Sequence, residues 1–399
     1  MKILMLTPYV PYPPASGGQI RTLNLLKYLS KHNEITLIAL YKNDDTKKYR
    51  EHLKPYCKHI YLCKRPEKPW QFKTIWKAIF SPDPFLIVRN FSDEAKKIVS
   101  KLLATEQFDV IHAETFYIMP HIEQTRTPIF LVEQTIEYKV YQHFVNSLPV
   151  FIRPFFMLDI IKLKKWEQYY WKKAYLVGAV SESDCAEIKR LEPTINPVII
   201  PNCAGDEMFV EQLKPKDFAK PTILFIGNFD WLQNTEAVRI LIDQIAPLIE
   251  VKLPHAQIII AGQSAKLKLG NYAKNNIRII DLAQEDASTV LKLYKTSTLF
   301  IAPIFGPGGT RLKILAAMAS GLPVVSSQTG VEGLQLIDNI HVLIAKKPHE
   351  FADQIVRILE NVKLYEQIRA NAYEVAVKEY SWQHIAEKLE IVYKQIQQS

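Results

Sequence analysis

The stretch Leu299-Phe300-Ile301-Ala302-Pro303-Ile304-Phe305-Gly306-Pro307-Gly308-Gly309-Thr310-Arg311-Leu312-Lys313 decides the reading of the fold. Leu299–Ala302 is a short, wholly apolar run, as expected of a strand covered on both faces. Pro303–Gly309 is a turn-rich loop, and Thr310–Ala319 carries the apolar spacing of a helix. A strand feeding a helix through a glycine loop is the building unit of a parallel α/β sheet. The first N–H groups of such a helix are free and its dipole is positive there, so glycines let an anion approach the backbone. Arg311 and Lys313 stand in this first turn, where cations are unfavourable unless an anion offsets the dipole. The pattern points to a bound diphosphate at Gly308, Gly309 and Thr310; a plain tight turn with solvated charges is the competing reading.

The same alternation extends in both directions. Downstream, Leu322–Ser326 and Val342–Ala345 read as strands, and amphipathic helices close the chain. Upstream, Thr222–Gly227, Gln257–Ala261 and Ile277–Ile280 are strands, with a helix over Thr235–Leu248. Before the Lys/Pro-rich linker at 212–221 the pattern occurs once more. Ile3–Leu6, Glu34–Leu40, Asp109–His112, Pro128–Val132, Leu176–Val180 and Pro197–Ile200 are its strands. The expected architecture is two Rossmann-like α/β domains, residues 1–205 and 206–380, with a helix at 381–399 returning to the first. Ligands of such sheets bind beyond the carboxyl ends of the strands, and two facing sheets offer the cleft between them.

Composition narrows the class. The chain has 399 residues, 48% of them apolar, too many for one ordinary core and too apolar for disorder. Four scattered cysteines without a CxxC pair argue against a disulfide scaffold or a zinc knuckle and suit a reducing cytosol. No apolar run approaches the ~20 residues that a membrane span needs. The basic excess is confined: residues 1–200 hold 29 of the 50 Lys and Arg and 20 of the 41 Asp and Glu. Lys47–Lys77 and Phe151–Lys173 interleave cations with Tyr, Trp and Phe, the mixture an anionic membrane surface selects. Core aromatics beside a solvated basic face would give the same composition. Nucleic acid is not expected, since no recognition helix or RNA-binding aromatic motif is evident.

Other candidate residues lie in loops after strands. Pro13-Pro14-Ala15-Ser16-Gly17-Gly18 places Gly17 and Gly18 at a helix start, a backbone approach point for a sugar or phosphate, or a bland turn. It is not GxGxxG, and no acid follows at the spacing that would hold a ribose. His112 ends a strand with Glu114 two residues on, and could act at a reacting centre or be structural. Glu133 and Glu137 are candidate acceptor-side acids, or caps.

With these pieces in order, the chain resembles the retaining GT-B-fold glycosyltransferases of family 4, the bacterial group 1 type, over essentially its whole length. The resemblance rests on 13–21, on Ala179-Val180-Ser181-Glu182 and Pro201-Asn202, and on Phe225-Ile226-Gly227-Asn228-Phe229-Asp230-Trp231. Most specific are Gly308–Val325, with the glycine-rich GGTRLK motif, and Gly330-Val331-Glu332-Gly333-Leu334. It implies a nucleoside-diphosphate sugar held mainly by the second domain, an acceptor held by the first, retention at the anomeric carbon and no essential metal or other cofactor. His112 would lie near the transferred sugar, and Gly17 and Gly18 near the donor phosphates. Gly227, Asn228, Gly308, Gly309, Thr310, Ala316 and Glu332 would line the donor site, with Arg311 and Lys313 supplying charge. Basic, aromatic first domains in such proteins imply a lipid-linked or polysaccharide acceptor in envelope or exopolysaccharide synthesis. They also imply a cytoplasmic location, peripheral at the inner face of the membrane.

Two departures accompany the resemblance. The family places two glutamates eight positions apart around this helix; here they are Gly308 and Ala316. Losing two charge-assisted bonds to a ribose could weaken binding by roughly 2 to 5 kcal/mol. The Arg and Lys common after the second domain's first strand are absent, and Asn228 and Asn234 lie there instead. The rival readings are a binding protein whose donor affinity is impaired at Ala316, and a nucleotide-sugar epimerase or hydrolase on the same fold.

Overall fold

The computed structural model describes residues 1–67, 72–270, 276–284, 286–306 and 310–398. They form two compact units, Met1–Pro201 together with Trp382–Ser399, and Asn202–Ser381. The chain therefore leaves the first unit at Pro201 and re-enters it at Trp382.

The first unit is built on seven strands: β1 (Lys2–Thr7), β2 (Glu34–Tyr41), β3 (His59–Lys64), β4 (Val110–Glu114), β5 (Ile129–Glu133), β6 (Leu176–Ala179) and β7 (Val198–Ile199). All pair in parallel in the order β3-β2-β1-β4-β5-β6-β7. The central strands are buried on both faces, which is why they read as unbroken apolar runs. The helix Trp382–Gln398 buries Trp382, Ile385, Leu389 and Tyr393 and packs against the helix Gly17–Leu29 and β4.

The second unit holds β8 (Thr222–Ile226), β9 (Gln257–Gly262), β10 (Ile277–Asp281), β11 (Leu299–Ala302), β12 (Val324–Ser326) and β13 (Leu343–Ile344). These too are parallel, in the order β10-β9-β8-β11-β12-β13. The two-domain α/β fold expected from the sequence is thus the observed one.

Two helix boundaries differ from expectation, and Lys47–Lys77 contains the edge strand β3, whose buried positions are Ile60 and Cys63. Several of its cations are neutralised locally: Lys47 and Lys64 pair with Asp44 at 2.8 and 2.5 Å, Lys54 with Glu51 and Lys58 with Glu34, each at 2.7 Å. Charges on an edge strand also discourage pairing with another chain. The helix expected over Thr235–Leu248 runs as Leu232–Ile240, a π turn at Leu241–Ile245, and Ala246–Lys252. Pro247 cannot donate to the carbonyl four residues back, and the wider π turn accommodates its ring. Finally, the helix expected from Thr310 begins at Leu312, with Arg311 as its N-cap.

Candidate functional site

In the second unit, the loop after β8 and the first turn of the helix Leu312–Ala319 come together. Lys313, in that first turn, reaches back to Asn234 Oδ1 at 2.5 Å and lies 4.7 Å from the Phe225 ring centroid. A Cβ on Gly227 would sit 3.0 Å from the Lys313 Nζ, so the glycine makes room for the amine over the backbone. Asn234 Nδ2 donates to the Asn228 carbonyl at 2.7 Å, and Asn228 Nδ2 donates to Gln263 Oε1 at 2.7 Å. Gly262 supports the same corner: at φ +155° its Cα packs on the Gly227 carbonyl, where a side chain would overlap it.

The electrostatics of this corner are unusual. Burial, reinforced by the charge of Arg311, lowers the Lys313 ammonium to about 7. Asn234 offers it a neutral acceptor and Phe225 an aromatic face; among the described residues no carboxylate pairs with it. Arg311 donates from Nη2 to the Gly306 carbonyl at 2.7 Å, so it is held within its own loop. No acidic residue occupies the first turn of this helix. Two cations thus stand at the positive end of a helix dipole, a combination that an anion would relieve.

The remaining sequence candidates divide. The structure brings Gly227, Asn228 and Lys313 together, and the largely buried Thr310 and the N-cap Arg311 lead into the same helix. Gly308 and Gly309 lie outside the described residues. Ala316 is buried one turn further along, and Glu332 is exposed just after the 3-10 turn Thr329–Val331.

In the first unit, His112 is corrected. It is fully buried in β4, its Nδ1 lies 2.5 Å from the Tyr393 hydroxyl, and its Nε2 pairs with Glu114 Oε1 at 2.9 Å. With both ring nitrogens engaged it has none to present to a sugar; it fixes Glu114 against the returning helix. Glu114, also fully buried, receives the Arg21 Nε at 3.1 and 3.2 Å and Gln134 Nε2 at 2.5 Å. Burial opposes its charge, but Arg21 and the hydrogen bonds from His112 and Gln134 prevail and hold the carboxyl at about 2. Arg21 extends the network from Nη1 to the carbonyls of Ile200 and Pro201, at 3.2 and 3.1 Å, where the chain leaves the unit.

Gly17 is exposed at the start of its helix, while Gly18 abuts this network: a Cβ there would collide with the Tyr9 hydroxyl and lie 2.8 Å from Gln134 Oε1. Thr115, directly after β4, adopts φ +76°, an outlier for a β-branched residue and a mark of strain at the carboxyl edge of the sheet. Glu133 is not an exposed acid: it is fully buried and accepts from Trp171 Nε1 at 2.8 Å. Sequence reasoning missed Arg21, Gln134 and Tyr393; Glu114, two positions from His112 on the same strand face, was the available signal.

The first unit also carries an exposed apolar face. In the helix Phe72–Phe80, Trp76, Ile79 and Phe80 are exposed. Before and along the helix Arg153–Lys173, Phe151 (77% exposed), Phe155 (81%), Leu158 and Ile161 are exposed, while Leu163, Tyr170 and Trp171 are buried. Lys162 joins the two helices by donating to the carbonyls of Ala78 and Ser81 at 2.9 and 2.7 Å. No helix among the described residues is long and apolar enough to cross a membrane.

Residues 220–361, all of them in the second unit, match the family described as "Glycosyl transferases group 1". The second unit is of the group 1 glycosyltransferase type. A phosphatidyl-myo-inositol mannosyltransferase of Mycobacterium leprae is 26% identical over 227 residues, which is 55% of this chain and 60% of that relative. Among solved structures, sucrose-phosphate synthase from Thermosynechococcus elongatus aligns with TM-score 0.73 at 15% identity over 99% of both chains. Alr3699/HepE from Anabaena, in complex with UDP-glucose, aligns with TM-score 0.67 at 14% identity, over 99% of this chain and all of that one. The chain as a whole has the GT-B fold of glycosyltransferases.

Proposed function

We propose that this glycosyltransferase-type chain moves a sugar, with retention, from a nucleoside-diphosphate donor to a lipid-linked or polysaccharide acceptor in cell-envelope or exopolysaccharide synthesis. The observation that carries the reading is Lys313: a partly buried lysine that among the described residues has no carboxylate partner, beside Arg311 at a helix N-terminus and over Gly227. A diphosphate seated there would restore the ammonium and offset the dipole, and the same charges would stabilise the departing diphosphate. Backbone amides and two cations supply that role without a metal ion. The nucleotide-sugar donor fits the UDP-glucose bound by the Anabaena protein.

The experiment is a thermal-shift screen with UDP, GDP and ADP and their sugars. A true ligand at 100 times its Kd stabilises by about 2.7 kcal/mol. Arg311→Ala should lower turnover by orders of magnitude while the fold persists; unchanged turnover removes the assignment. Ala316 favours a second reading, a binding protein with impaired donor affinity, because a buried methyl cannot accept from ribose hydroxyls. A large gain of activity in Ala316→Glu would support that reading. An epimerase or hydrolase would instead release nucleotide with no acceptor present.

The acceptor reading extends to location: peripheral, at the cytoplasmic face of an anionic membrane, through the apolar face of Phe72–Phe80 and Phe151–Ile161. Arg153, Lys164 and Lys165 flank that face, as interfacial helices require. The name of the mycobacterial relative, a phosphatidyl-myo-inositol mannosyltransferase, supports a lipid-borne substrate. F155E with L158E should abolish sedimentation with phosphatidylglycerol vesicles; undiminished sedimentation removes this part of the proposal.

A further inference from the structure

Three cations cluster at the carboxyl edge of the first unit's sheet. Lys42 follows β2, Arg65 follows β3, and Arg89 lies in the helix Phe85–Asn90. The Arg65 N–H donates to the Tyr41 carbonyl at 2.9 Å, which holds the two strand ends, and hence Lys42 and Arg65, side by side. The three are close enough to repel: burial, then the charges of Arg65 and Arg89, lowers Lys42 to about 8, and burial, then Arg89, lowers Arg65 to about 10.

Among the described residues no salt bridge answers this charge. The Nε atoms of both arginines are buried and lack a hydrogen-bond partner among the described residues. The contact that Arg89 makes with an aromatic group, among the described residues, is the Phe85 ring, 5.9 Å from its Cζ. Arg89 acts on the buried Glu137, but burial pushes that carboxyl up to about 7, so it is a partial counter-charge. Tyr117 and Tyr141 complete the surroundings and are neutral at physiological pH. Buried guanidinium donors without acceptors are costly and rare, and the planar fork of arginine matches phosphate oxygens. Doubly wound sheets bind their ligands at this edge.

We propose that Lys42, Arg65 and Arg89 form an anion site in the first unit, which holds a phosphate or diphosphate group borne by the acceptor. The site is separate in the chain from the Arg311–Lys313 corner. It rests on the transferase reading for the word acceptor, but not for the anion.

The test titrates the full chain with inorganic pyrophosphate by calorimetry, in wild type, K42Q, R65Q, R89Q and R311A, each checked for an unchanged melting temperature. R65Q and R89Q should each weaken, by tenfold or more, a class of pyrophosphate site that R311A retains, and leave UDP, GDP or ADP binding within twofold of wild type. K42Q should weaken the same class severalfold. Pyrophosphate binding that is equal in wild type, K42Q, R65Q and R89Q overturns the proposal. If no nucleoside diphosphate binds any form while the R65Q and R89Q losses persist, the transferase reading fails and the anion site stands. Sedimentation with phosphatidylglycerol vesicles separates the sources. Vesicle binding unchanged by R65Q and R89Q assigns the anion to the acceptor. A vesicle loss as large as the pyrophosphate loss overturns that assignment in favour of a membrane headgroup.

Discussion

Replacing Lys313 with methionine isolates what the buried amine does to the fold. Methionine keeps most of the apolar stem and removes the charge. Burial, then Arg311, takes the ammonium from an ordinary 10.5 to about 7. Between those values the native state binds fewer protons than the unfolded chain, so the stability of the wild type rises with pH across that window. A full proton difference is worth ~1.4 kcal/mol per pH unit. With half of the native amine already deprotonated at pH 7, the gain between pH 7 and pH 9 comes to about 2 kcal/mol. K313M lacks this titration. Urea denaturation of both proteins without ligand, at pH 7 and pH 9, should therefore show the wild type gaining about 2 kcal/mol on the variant, groups common to both cancelling. K313M should also bind UDP more weakly. Parallel pH dependences would refute the reasoning: the amine would be hydrated like any surface lysine, and no anion would be needed to complete it.

Three further outcomes follow from the first unit. Burial, only partly opposed by the Trp171 hydrogen bond, pushes Glu133 up to about 8. A raised carboxyl binds more protons when native, so its stabilisation is present at low pH and is lost as pH rises from the ordinary carboxylate range toward 8. E133Q, whose amide cannot titrate, should flatten that decline between pH 5.5 and 8 in urea midpoints; equal slopes would mean the carboxyl is ionised throughout. Gly18→Ala drives a methyl onto the Tyr9 hydroxyl and Gln134, and overpacking of this kind costs ~1–3 kcal/mol, read from the same denaturation. Arg21→Met strands a buried carboxylate at Glu114, and should cost ~3–5 kcal/mol. A loss below 1 kcal/mol would mean that Glu114 finds water or a proton instead.

The fold was legible because parallel strands are buried on both faces, so β1, β4, β5 and β11 stand out as apolar runs between helical periods. β3 was not, because an edge strand buries little: only Ile60 and Cys63 are inside, and His59 and Lys64 at its ends look like part of a basic surface. The break at Leu241–Ile245 was written in Pro247, but a proline near a helix start and one inside a helix differ only by where the helix begins.

The site was legible where one short segment makes it and illegible where distant segments meet. Gly227, Asn228 and Lys313 were found because each follows a strand of the second sheet, and strand ends are where such sheets work. His112 satisfied the same rule and failed it, because the side chain opposite comes from Tyr393, 281 positions along the chain. A histidine near the end of a strand is available for chemistry only if the strand stops there and no helix closes over it; β4 runs on to Glu114. Here the returning helix does close over it, and it converts a candidate catalyst into one member of a buried chain running Tyr393–His112–Glu114–Arg21 to the point where the polypeptide leaves the unit. The carboxyl edge of this sheet therefore spends its buried polar groups on fixing the exit of the chain. Among the described residues, the buried Nε atoms of Arg65, after β3, and of Arg89 are left without a hydrogen-bond partner.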